Sequence, residues 1–126
     1  MNIVTELEFR DRLVAALREL PERCEIGCVT GPGRSGAVAA VYASYCLGVP
    51  FIAWGTKPPF DLNRLLIIDT ARQSGKTLRK AMKTYHLHDP IDLAIYEEPP
   101  RVHFWYEPLS DYVHGSAEGN LLPLAA

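Results

Sequence analysis

The sequence is short of three things: long apolar runs, clusters of one charge, and cysteine. No stretch reaches the roughly eighteen apolar residues that a membrane-crossing helix needs, and no leader of the secretory kind opens it, so a soluble, cytoplasmic protein with no membrane partner is expected. Lys and Arg number 13 against 15 Asp and Glu, the net charge is −2 and the pI about 6.1. With no basic block among them, a nucleic-acid groove is excluded as the main business of the chain. The cysteines, Cys24, Cys28 and Cys46, are an odd 3 in apolar or strand-like surroundings, which reads as reduced thiols rather than a disulfide framework. Zinc spacing is missing too: His86 and His88 stand beside Asp89 with no third ligand at a metal spacing, so a solvated helix end is expected there. Repeats and low-complexity segments are absent.

What is present is apolar side chains in 48% of 126 residues, enough for one domain with a single three-layer core. Leu7, Phe9, Leu13, Val14, Leu17 and Leu20 recur at the helical period between charged residues, and Thr5 with Glu8 spells a capping box. Thr5 to Leu20 is therefore expected as an amphipathic helix on one face of a sheet, ended by Pro21. Ile26 to Thr30 follows as the first core strand, Ala37 to Leu47 as a small-residue helix closed by Gly48, and Val49 to Trp54 as a short strand. Later come a helix over Ser74 to Tyr85, a strand over Ile91 to Tyr96 and an aromatic-rich last strand over Val102 to Pro108.

One stretch organises the rest. Leu65, Leu66, Ile67 and Ile68 read as a buried parallel strand, and the stop at Asp69 marks where it leaves the core. Ser74, Gly75 and Thr77 then precede the helix formers Leu78 to Lys83, so unpaired backbone N–H groups and a positive helix end point at the strand's exit. Such a strand–loop–helix is a phosphate cradle, its backbone drawn from Ala71, Arg72, Gln73, Ser74, Gly75, Lys76 and Thr77. An ordinary turn with a Ser/Thr cap is the plainer alternative. A P-loop, and with it a phosphotransferase, fits Gly75-Lys76-Thr77 but not the position five earlier, where Thr70 replaces the required Gly.

A second glycine-bearing loop, Thr30-Gly31-Pro32-Gly33-Arg34-Ser35-Gly36, leaves the Ile26 to Thr30 strand. Glycine lets backbone approach a ligand closely, and Arg34 supplies charge for an anion. Two such loops at successive strand ends form one crevice, as ligand sites in open α/β sheets do.

Asp69, Ser74, Gly75 and Thr77 fall in register on the acidic-acidic-x-x-x-Thr-Gly-x-Thr loop that type I phosphoribosyltransferases use to hold a ribosyl 5′-phosphate, and the sequence resembles that family. The resemblance implies a single-domain, three-layer α/β/α fold with an open, mostly parallel sheet. It places the ribose on Asp69 and Thr70, the pyrophosphate of PRPP on Gly33, Arg34, Ser35 and Gly36, and Mg²⁺ with PRPP, Asp69 being the protein's metal ligand. Asp69 and Gln73 take the catalytic positions. Phe104, Trp105, Tyr106 and Glu107 are similar to the hood that holds the base in 6-oxopurine members, although an aromatic strand is as often core packing. The implied partners are a nucleotide or PRPP and a nucleobase, and a homodimer is compatible with the reading.

The acid/base set departs from that pattern. Thr70 replaces the second acidic residue, Gln73 the acidic group near N7 of the base, and Glu98 the Lys that reaches its 6-oxygen. Gln73 can hydrogen-bond a base but cannot exchange a proton with it at neutral pH. The family's long arm that closes over PRPP is here a short turn, Gly55 to Asn63, with two prolines. The sequence thus supports phosphoribosyl transfer or, from another class, a nucleotide-binding module without turnover.

Overall fold

A computed structural model describes residues 2–71, 76–96 and 102–107. The described residues fall into two compact units, divided along the sequence after Glu6 and after residue 100. The smaller is a parallel pair, β1 (Asn2–Val4) beside β5 (Val102–Phe104), with Asn2 opposite Val102. Neither matches the sequence reading. The last strand stops at Phe104, where the chain turns through Trp105 and Tyr106, and β1 precedes the strand expected to be first. Three residues without flanking turn signals are too short to show a period.

The larger unit is a parallel sheet with helices on both faces. Its elements are α1 (Glu6–Arg18), β2 (Ile26–Thr30), α2 (Gly33–Leu47), β3 (Arg64–Ala71), α3 (Lys76–Thr84) and β4 (Ile91–Tyr96), the last two linked by a 3₁₀ turn over His86–His88. Hydrogen-bonded order is β2-β3-β4, with Thr30 opposite Ile67 and Asp69 opposite Ala94. The strand expected over Val49 to Trp54 contracts to a single parallel bridge between Phe51 and Val29, on the side of β2 away from β3. Two bonds carry it: Val29 N–H donates to Pro50 O and Ile52 N–H to Val29 O, at 3.0 and 2.7 Å.

β3 is the axis of this unit because Leu65 to Ile68 are all fully buried, each side chain worth about 1.5–3 kcal/mol of transfer free energy. Alternation divides them. Leu65 and Ile67, with Cys28 and Ala94, pack under Leu78, Ala81 and Tyr85 on the α3 side. Leu66, Ile68 and Val29 project from the opposite face, where α2 lies on β2 and β3. α2 buries only Gly36, Ala39, Ala40 and Ala43, and side chains this small allow a close approach to the sheet. Against it, Phe9 of α1 meets Tyr42 edge-on at 5.5 Å. Gly48 ends α2 in the left-handed conformation, its N–H donating to Ser44 O at 2.8 Å, as the sequence reading expected.

Three local expectations need correction. β3 does not stop at Asp69 but stays paired to Ala71, since Ala71 opposite Tyr96 continues the ladder. α2 begins at Gly33, four residues early, because Pro32 at its N-cap has extended backbone and Gly33 to Gly36 already form the first turn. Cys24 and Cys46 are exposed; Cys28 alone is buried, and burial pushes its thiol's pKa up, so it is an unreactive core group.

Candidate functional site

The chain changes direction between β2 and β3. From β2 it passes through α2 to the Phe51 bridge on one side, and from β3 through α3 to β4 on the other. In a doubly wound sheet this topological switch point, at the carboxyl ends of the strands, is where a crevice opens. Here those ends are Thr30-Gly31 and Asp69-Thr70-Ala71. Both loops singled out from the sequence depart from this point.

The β2 end is built by contact between backbones. A Cβ on Gly31 would lie 2.1 Å from Gly36 O and 2.6 Å from Ile68 O, so only glycine lets α2's first turn rest on the strand end. Pro32 makes no side-chain cap, and the first-turn N–H groups of α2 carry the positive end of its dipole. Gly33 (φ +67) and Arg34 are exposed, Ser35 half-buried and Gly36 buried. Of the four residues expected to hold pyrophosphate, three are thus accessible in one helical turn, and Gly36 serves through packing.

The β3 end carries Asp69 and Thr70. Asp69 is half-buried, and burial raises its carboxyl pKa, partly offset by the Thr70 N–H that donates to Oδ1 at 2.7 Å and by the Thr70 side-chain hydroxyl. One carboxylate oxygen is therefore committed to the chain's own backbone. Thr70, 4% exposed, is on the alternate face of the strand. Lys76 and Thr77 are exposed in the first turn of α3. Arg72, Gln73, Ser74 and Gly75, and likewise Glu98, lie outside the described residues.

Sequence reasoning overlooked Thr30. It is fully buried at the last position of β2, on the same sheet face as Asp69, and its Oγ1 has no hydrogen-bond partner among the described residues. A buried hydroxyl left so costs about 1–3 kcal/mol, so it is a donor in need of an acceptor. The signal was one polar residue closing the otherwise apolar Ile-Gly-Cys-Val run.

Phe104, Trp105, Tyr106 and Glu107 belong to the smaller unit. Phe104 and Tyr106 stack at 5.5 Å, Trp105 meets Tyr106 edge-on at 4.9 Å, and Glu107 Oε1 accepts the Phe104 N–H at 3.1 Å. The Gly55 to Asn63 connection lies at the far end of β3. Gly55 N–H donates to the Tyr85 hydroxyl at 2.7 Å, Trp54 meets the Tyr85 ring at 5.3 Å, and Phe60 stacks on His88 at 4.9 Å. Tyr85 and His88 follow the C-terminus of α3, which runs back from the crevice, so this connection is held away from it. No group of three or more His, Cys, Asp or Glu among the described residues could hold a metal ion.

No protein-family model and no curated protein matches the sequence. Solved structures do match. A purine phosphoribosyltransferase from Pyrococcus horikoshii superposes with a TM-score of 0.65 at 19% identity, covering 86% of this chain and 96% of its own. A xanthine-guanine-hypoxanthine phosphoribosyltransferase from Helicobacter pylori gives 0.67 at 13%, with 83% and 90% covered. A hypothetical protein from Neisseria gonorrhoeae with bound ppGpp gives 0.65 at 10%, with 86% and 91% covered. At 10–19% identity the likeness is one of fold, and the fold is that of the type I phosphoribosyltransferases.

Proposed function

We propose that the protein binds a phosphorylated ribose, as PRPP or a nucleoside 5′-monophosphate, in the crevice between the ends of β2 and β3, and transfers phosphoribose to or from a nucleobase. The observation that supports this is the pairing, at one switch point, of a glycine-tight helix start at Gly31 to Gly36 with Asp69 and the loop leading into Lys76 and Thr77. In this reading the 5′-phosphate lies on the backbone of 71–77, the pyrophosphate on Gly33 to Gly36 with Arg34, and the ribose hydroxyls on the Asp69 carboxylate. Thr30 offers its hydroxyl to an anion at the β2 end.

Magnesium fits only as a partner of the ligand. Among the described residues Asp69 is the one carboxylate at this end of β3, and it already accepts hydrogen bonds from Thr70, so Mg²⁺ would take most of its oxygens from pyrophosphate and water, as its reluctance to dehydrate favours. The charge it would supply there would offset that of the leaving pyrophosphate.

A second reading, a nucleotide-binding module without turnover, is favoured by the Asp69–Thr70 bond and by a connection held away from the crevice. A connection placed there does not cover the crevice to exclude water. ppGpp, held by one of the similar structures, joins the ligands to test. Calorimetric titration with PRPP, GMP, ATP and ppGpp, each with and without Mg²⁺, tests binding, and pyrophosphate release from PRPP with each common nucleobase separates the readings. Binding with release supports transfer; binding without release supports the module; no binding of any of them overturns both.

A further inference from the structure

The end of β3 opposite the crevice opens into a cavity of about 450 Å³. This is the volume of a small-molecule site. Phosphoribosyl chemistry uses nothing here, and the connection drawn to this end builds one wall. Phe60, 68% exposed, stacks on His88 with an interplanar angle of 21°, and Leu87, 66% exposed, lines the cavity with it. Two large apolar side chains are thus kept in water beside a concave surface, with one ring already oriented.

The same cavity is also lined by charged side chains. Arg64, the first residue of β3, donates its Nε–H to the Asp89 backbone carbonyl at 3.0 Å and its Nη1–H to Glu25 Oε1 at 3.1 Å, and Asp89 Oδ2 lies 3.1 Å from Nε as an ion pair. This holds Glu25 and Asp89 at the cavity while their side chains stay 59% and 76% exposed. Two carboxylates against one guanidinium leave an excess negative charge. An aromatic face and exposed carboxylates lining one cavity favour a flat ring that carries positive charge, by stacking, cation–π attraction and charge-assisted hydrogen bonding together. It rejects anions.

We infer that the cavity lined by Phe60, Leu87, Arg64, Glu25 and Asp89 is a second small-molecule site, for a flat aromatic or heterocyclic cation without phosphate. The ligand's ring lies on Phe60 and its N–H donors meet Glu25. The site does not depend on what the crevice binds.

Benzamidine and benzoate are the probes, the same ring with opposite charge. Titration followed by NMR is expected to show benzamidine binding in the millimolar range or tighter, with shifts at residues 60 and 87–89 and none at 31–36, and benzoate not binding. Phe60→Ala and Glu25→Gln change exposed side chains, so both are expected to fold, and each should weaken benzamidine about tenfold or more, the loss of one stacking or one charged hydrogen-bond partner. Equal binding of the two probes, benzamidine shifts confined to other residues, or wild-type affinity in both variants would overturn the assignment. Because neither probe carries phosphate, these results stand apart from the titration of PRPP and nucleotides.

Discussion

Replacing Gly31 by Ala tests the construction of the crevice at its tightest point. The added Cβ would meet Gly36 O at 2.1 Å, Gly36 C at 2.5 Å and Ile68 O at 2.6 Å, all of them backbone atoms of α2 and β3. None can rotate aside, so either α2 retreats from the sheet or β2 and β3 part. Overpacking a core with movable side chains costs about 1–3 kcal/mol, and three backbone neighbours put this change at about 3 kcal/mol or more. Gly33→Ala is the control, because nothing lies within 4 Å of its Cβ and only its φ of +67 opposes the change, at about 1–2 kcal/mol. Urea unfolding reads both: with a slope of about 2 kcal/mol/M, Gly31→Ala should lower the midpoint by about 1.5 M and Gly33→Ala by less than about 1 M. The displaced helix start should also abolish pyrophosphate binding in Gly31→Ala. A Gly31→Ala protein as stable as the wild type would refute the close approach and, with it, the placement of α2's first turn at the crevice.

Asp69→Asn makes a pH prediction. Burial raises its folded-state carboxyl pKa above that of a free aspartate, so the native state binds its proton more tightly than the unfolded chain, and stability is lost as pH rises from the ordinary aspartate range through the raised value. Asn keeps an acceptor for the Thr70 N–H, so the variant should gain stability relative to wild type over that window in paired unfolding titrations; a constant difference across pH would refute the burial argument. The same variant should bind ribosyl ligands more weakly by about 1.5–3 kcal/mol while inorganic phosphate is unaffected, and equal losses would make Asp69 a purely structural residue. Thr70→Asp would bury an unpaired carboxylate at a position 4% exposed and should cost about 3 kcal/mol or more; an unchanged melting temperature would mean that the strand face is misassigned. Tyr85→Phe removes the acceptor of the Gly55 N–H and should cost about 1 kcal/mol without changing affinity for PRPP, whereas a change in that affinity would bring the connection back to the crevice.

Much of the larger unit was legible because its signals are local. Ile91–Tyr96 and Ile26–Thr30 have the expected bounds, and Gly48 closes α2, since a β-branched run and a left-handed glycine depend little on distant partners. The early start of α2 was hidden because Pro32, Gly33 and Gly36 spell a loop; only the seating of Gly36 on Gly31 makes them a helix turn. The contraction of Val49 to Trp54 was equally hidden, for an outer strand lasts as long as its neighbour's pairing and β2 offers Phe51 one bridge. Two features of the site required three dimensions. Asp69 turning one oxygen to the Thr70 N–H depends on the backbone beyond the strand's core, and the course of the Gly55 to Asn63 connection is set by Tyr85 and His88 from another element.

The central claim is that the switch-point crevice receives a phosphorylated ribose, and a crystal structure of the protein soaked in guanosine 5′-monophosphate tests it most directly. The account predicts the phosphate on the backbone N–H groups of residues 72–77 and the ribose hydroxyls within hydrogen-bond distance of Asp69. Nucleotide bound only elsewhere on the molecule, or no nucleotide at saturating concentration, would contradict it.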